Sequence, residues 1–112
     1  MSLDAIAHDQ LRSARTATSA RAATTVFGGH EHVMRQTVIA LRAGSGLSEH
    51  RNPGEATVLV LKGRVELVAG AEKWQGRTGD LLIVPQAPHT LHALDDSAVL
   101  LTAVPLSREK SE

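Results

Sequence analysis

The chain falls into two hydrophobic regimes. Near its start, apolar residues recur at Leu3, Ile6, Ala7, Leu11 and Ala14, the three-and-four spacing that gathers them on one stripe of an α-helix. Ser2 stands where an N-cap belongs and Asp4 where the positive end of the helix favours an anion; Arg12 and Arg15 come later, where cations are favoured. This spacing continues to about residue 20. From Thr24 onward the texture changes to short apolar runs at residues 33–41, 57–61, 65–68, 81–84, 90–94 and 98–104, which read as strands. Turn formers separate them: Gly28-Gly29, Gly44-Ser45-Gly46, Asn52-Pro53-Gly54, Lys62-Gly63, Ala69-Gly70, Gly79-Asp80 and Asp95-Asp96.

Within that pattern three local readings can be made. Lys62-Gly63, lying between two strand runs, predicts a tight hairpin. Glu66 between apolar neighbours gives the strand at 65–68 one wet face. Residues 81–84 are apolar at every position, which predicts a central strand between two buried layers, fed by the turn at Gly79-Asp80. Many short strands after one helix predict an all-β barrel or sandwich. The chain is divided accordingly into an N-terminal helix region at 1–22, one β domain at 23–106 and a polar tail at 107–112.

Composition narrows the partners. The chain has 112 residues, the size of one domain, and a chain of this length buries roughly 65% of its unfolded surface. Formal charge is zero, which argues against nucleic-acid binding and against a polybasic membrane contact, since both need a basic excess. There is no cysteine, so disulfides, thiolate zinc sites and thiol nucleophiles are excluded. The apolar runs are too short to cross a bilayer. Asp4 and Asp9 do not suit a transit peptide, and the expected location is cytoplasmic. Phe27 and Trp74 are the only Phe, Tyr or Trp residues, so Val, Leu, Ile and Ala must build the core.

Two spaced motifs then stand out. Gly44 precedes His50 by six residues, Pro53-Gly54 follows, and Gly63 comes later at the spacing of a second turn. Gly79 precedes Pro85 by six, followed by Gln86-Ala87-Pro88-His89. In this order, inside an all-β pattern covering residues 33–104, they resemble the two motifs of the cupins, with the second turn one residue short. The resemblance implies a double-stranded β-helix, or jelly-roll barrel, with one added N-terminal helix. It also implies a divalent-metal site made by two histidines and a glutamate from the first motif and a histidine from the second. His50 and His89 occupy two of those slots. Asn52 stands in place of the other histidine, Ala56 in place of the glutamate and Ala93 in a slot often held by asparagine. Glu55 is adjacent to the glutamate slot, but a shift of one residue turns its side chain to the opposite face of a strand.

A catalytic metal needs three or more protein donors; two imidazoles and a neutral amide fall short. The set could be completed by His30 and His32, which alternate onto one side of an upstream strand, or by His92, three residues after His89. Three readings of function follow. The first is a barrel that binds a small molecule with little or no catalysis, lined by His50, Asn52, His89 and His32. The second is a metal-dependent oxygenase or isomerase in which His50, His89 and a recruited third ligand hold Zn, Fe, Mn or Ni. The third is an oligomeric regulatory or interaction module, suggested by the helix stripe and by the sheet edges a small barrel must cover; the resemblance to cupins implies a homodimer. Metal-free acid–base chemistry at His50 and His89 is a further route. No Ser-His-Asp or paired-carboxylate spacing is present, and Gly28-Gly29 is too short for a phosphate loop.

Overall fold

The computed structural model describes residues 1–50 and 54–105, with His50 described through its backbone alone. Asn52, its turn with Pro53, and the tail at 107–112 lie outside the described residues. Helix α1 (Leu3–Thr16) is capped as its sequence predicts: Ser2 Oγ accepts from the Ala5 N–H at 3.1 Å, Asp4 lies in the first turn and Arg15 in the last. The helix is shorter than the apolar spacing suggests. The Ala17 N–H closes onto the carbonyls of Ser13 and Ala14, and Ala20 then turns the chain at φ 62° into a strand.

Among the described residues nine strands follow: β1 (Arg21–Phe27), β2 (Arg35–Leu41), β3 (Gly46–His50), β4 (Gly54–Lys62), β5 (Arg64–Ala69), β6 (Glu72–Arg77), β7 (Leu81–Ile83), β8 (His89–Ala93) and β9 (Ser97–Pro105). They form two antiparallel sheets, ordered β1-β2-β9-β4-β7 and β3-β8-β5-β6. This is the jelly-roll arrangement, with one helix added. Alternation along each strand builds the core between the sheets: Val58 and Val60 of β4, Val65 and Leu67 of β5, Leu91 of β8 and Val99 of β9 all turn inward and are almost wholly buried. A second, smaller cluster lies on the outer face of the five-stranded sheet. There Ala7, Leu11 and Ala14 of α1 pack on Ala40 and Ala98, small residues that let the helix approach closely.

Three local predictions are corrected. Lys62-Gly63 is not a hairpin: β4 and β5 belong to different sheets, and Gly63 carries the chain from one to the other at φ 85°. The tight hairpin is instead Gly70-Ala71, between the paired residues Ala69 and Glu72. β7 is not central. It closes one edge of the five-stranded sheet, with Leu82 buried while Leu81 and Ile83 are 57% and 67% exposed. His30 and His32 do not alternate along a strand; they lie in the turn between β1 and β2, where the His32 N–H bonds the Gly29 carbonyl. Three strands, β1, β3 and β6, have no counterpart among the apolar runs, because each presents threonines, glycines or charged residues to one side.

Candidate functional site

The candidate site lies at the end of the sandwich away from the α1 contacts with Ala40 and Ala98. Cross-strand register defines it in rows. On the inward face of the larger sheet, Thr37, Leu101 and Val58 form one row, and Arg35, Ala103 and Ala56 form the next one out. On the smaller sheet, His50 of β3 and His89 of β8 are register partners, after an irregularity between Leu47 and His50. The two residues that the motifs place in ligand slots therefore sit opposite each other on adjacent strands.

His89 is 4% exposed and lines a small interior cavity whose other walls are apolar, among them Ile39, Leu47, Val84 and Leu101. Its Nδ1 lies 2.9 Å from the Ala87 carbonyl. A carbonyl can only accept, so Nδ1 carries the proton and, in the neutral ring, Nε2 is the nitrogen with the lone pair. The short turn between Pro85 and His89 thus orients the ring. The cavity holds about 20 Å³, room for about one water. Larger spaces adjoin it. Val84 also borders a cavity of about 380 Å³ that lies largely over the outer face of the larger sheet, with Glu55, Thr57, Ile83 and Thr102. Glu55 in turn borders one of about 360 Å³ with His32 and Arg35.

The other candidates are dispersed. Ala56 is buried and turned inward, with Glu55 exposed beside it, as the one-residue shift requires. His32 packs against Phe27 with the rings tilted by 39° and their centroids 4.5 Å apart, and it lines the cavity with Arg35 rather than the one with His89. His30 is exposed in the same turn. His92 is exposed, turned to the opposite side of β8 from His89, and its Nε2 lies 3.1 Å from Thr90 Oγ1. Ala93 is buried in the core. The structure therefore brings His89 and the His50 backbone together and leaves His30, His32 and His92 apart from them. The sequence reading overlooked Arg35. Its signal was there: a charged residue in phase with Thr37, Ile39 and Leu41, which face inward.

These donors do not fit a resident divalent ion. Among the described residues, no three His, Cys, Asp or Glu side chains gather, and Ala56 offers a methyl group where a carboxylate would complete a set.

The comparisons with known proteins agree with this architecture. The family model for the cupin domain matches residues 37–105, and the chain belongs to that family. Among solved structures, it is similar to a conserved protein of unknown function from Streptococcus pyogenes, with 25% identity, a TM-score of 0.72, and coverage of 81% of this chain and 79% of that one. An RmlC-like cupin from Desulfovibrio desulfuricans matches with 26% identity, a TM-score of 0.66, and coverage of 77% and 84%. The fold also matches salicylate 1,2-dioxygenase from Pseudoaminobacter salicylatoxidans, with a TM-score of 0.74 and 20% identity, over 89% of this chain and 34% of that one. No curated protein matches the chain. No helix among the described residues is long and apolar enough to cross a membrane.

Proposed function

We propose that the protein binds a small organic molecule at the His89 end of the barrel, without a resident catalytic metal. The observation that carries this reading is His89 itself: a buried, oriented imidazole set in the otherwise apolar wall of an interior cavity. In it, His89 supplies a polar contact, with His50 and Asn52 as further candidate polar groups, and Val84 and Leu101 supply apolar contact. The test is native mass spectrometry with elemental analysis of untagged protein purified without chelators. A co-purified small molecule that His89→Ala releases supports the reading. Stoichiometric metal retained after dialysis would overturn it.

Exposure of Leu81 and Ile83 on the edge strand β7 favours, in addition, a homodimer formed across this edge. An unpaired edge carrying apolar side chains suits two-fold pairing with a second copy.

A further inference from the structure

A cavity of about 360 Å³ is bordered by charge of both signs, and among the described residues neither charge enters an ion pair. It is bordered by Arg35 at the start of β2 and Glu55 at the start of β4, with His32, Val33, Val104 and Pro105. Ion pairs elsewhere join Arg12 to Asp9, Arg15 to Asp96, Lys62 to Asp4 and Arg64 to Asp95. Arg35 and Glu55 enter no ion pair and no side-chain hydrogen bond among the described residues.

Register explains why they stay apart. Arg35 pairs with Ala103 and Glu55 with Val104, so the two flank β9 from opposite sides. Two strand spacings put their backbones about 10 Å apart. Alternation sends the Arg35–Ala103 row inward and the Glu55–Val104 row outward, and both Arg35 and Glu55 border the same cavity. The residues between them on β9, Ala103 and Val104, are small or apolar, so among the described residues nothing bridges the charges. A simple anion would gain Arg35 and face Glu55; a simple cation would meet the reverse. A molecule carrying a carboxylate and an ammonium gains from both, through charge-assisted hydrogen bonds. Val33 is 74% exposed and, with Val104 and Pro105, offers apolar surface to a hydrocarbon side chain.

We propose that this cavity binds a small zwitterionic amino acid with an apolar side chain, its carboxylate on Arg35 and its ammonium on Glu55. His32, in tilted ring contact with Phe27, supplies a further hydrogen-bonding group. The proposal names a ligand class for the small-molecule reading above and rests on it.

The test is a titration with L-leucine followed by amide NMR, beside 4-methylpentanoate, which lacks the amine, and 3-methylbutylamine, which lacks the carboxylate. Leucine should produce saturable shifts at Gly29, Arg35, Glu55 and Val104, and each control should bind about tenfold more weakly or worse. Arg35→Gln and Glu55→Gln should each weaken leucine about tenfold, and Glu55→Gln should tighten 4-methylpentanoate. Both side chains are exposed, and an unchanged spectrum of the remaining amides verifies the fold of each variant. Equal binding of leucine and 4-methylpentanoate to the unmodified protein, or leucine binding indifferent to both variants, would overturn the proposal. If leucine instead shifts only the His89 cavity, at Val84 and Leu91, and His89→Ala abolishes this, the amino-acid site is wrong while the broader reading stands. No response at either cavity removes the amino-acid site, and the mass-spectrometric search for a bound molecule decides the broader reading independently.

Discussion

The Nδ1 atom of His89 lies 2.9 Å from the carbonyl oxygen of Ala87, two residues earlier in the same turn. This contact fixes the neutral ring in the form protonated on Nδ1. Nitrogen-15 shifts of the imidazole should therefore report Nδ1–H and a bare Nε2 once the ring is neutral. A ring found protonated on Nε2 would contradict the geometry. His89→Ala should lower stability by about 1–3 kcal/mol, because a buried hydrogen-bonding group is lost. His89→Asn, which can return an N–H toward Ala87, should recover part of it in urea unfolding.

Gly63 and Gly79 provide a matched pair. Both adopt left-handed backbone, at φ 85° and 94°. A methyl at Gly63 would run into the Asp96 carbonyl and Ser97 Oγ, while one at Gly79 would meet nothing within 4 Å. Ser97 is fully buried, and its hydroxyl accepts from the Arg64 N–H at 3.0 Å, so it has no easy retreat. Gly79→Ala should cost about 1 kcal/mol, the conformational penalty alone. Gly63→Ala should cost about 2 kcal/mol or more. Equal losses in chemical unfolding would show that crowding at the sheet crossover is unimportant.

Ala20 invites the opposite substitution. It holds φ 62° without being glycine, and its carbonyl accepts from the Arg42 N–H at 3.0 Å. Relief of left-handed strain outweighs the added flexibility of the unfolded chain, so Ala20→Gly should stabilise the protein by up to about 1 kcal/mol. A lowered unfolding midpoint would mean that the turn tolerates alanine without strain.

The edge strand β7 sets a test of assembly. Ile83 and Leu81 face outward, whereas Leu82 between them is buried. Replacing Leu81 and Ile83 together with serine should leave the fold intact and convert a homodimer to a monomer in sedimentation equilibrium. An unmodified protein that sediments as a monomer at micromolar concentration would remove the dimer.

How far these features could be read from sequence depended on whether each was local. The cap at Ser2 and the phase that turns Ala56 inward and Glu55 outward follow from spacing within one element, and the structure agrees. The same is true of Glu66, whose Oε2 accepts from Gln75 across the β5–β6 hairpin. The failures were of long range. A run of four apolar residues cannot show that Leu81 and Ile83 lack a covering layer, because that depends on which strand ends the sheet. Lys62-Gly63 has hairpin chemistry, yet the two strands it joins find partners far along the chain, β9 for one and β8 for the other. Arg35 escaped notice because its neighbours in the site, Ala103 and Glu55, are contributed by two other strands.

Asp96 ties three elements together, and its charge makes that tie sensitive to pH. Its Oδ1 accepts from the Ala43 N–H at 2.8 Å, in the turn before β3, and its Oδ2 accepts from Arg15 Nε at 3.2 Å, in the last turn of α1. The Ala43 hydrogen bond first, and the Arg15 guanidinium second, hold its carboxyl below the ordinary value of 3.8. A folded-state value lowered in this way adds stability that is complete above the unfolded value and is lost as pH falls through the folded one. The side chain is 40% exposed, so solvent screening limits the effect to about 1 kcal/mol or less. Asp96→Asn should therefore lower the thermal midpoint near neutral pH. The gap between the two proteins should persist down to about pH 4 and close as the unmodified carboxyl takes up its proton. Added salt should narrow it at neutral pH by screening Arg15. A gap that stays constant from neutral pH to pH 2 would show that Asp96 acts through its shape and not through its charge.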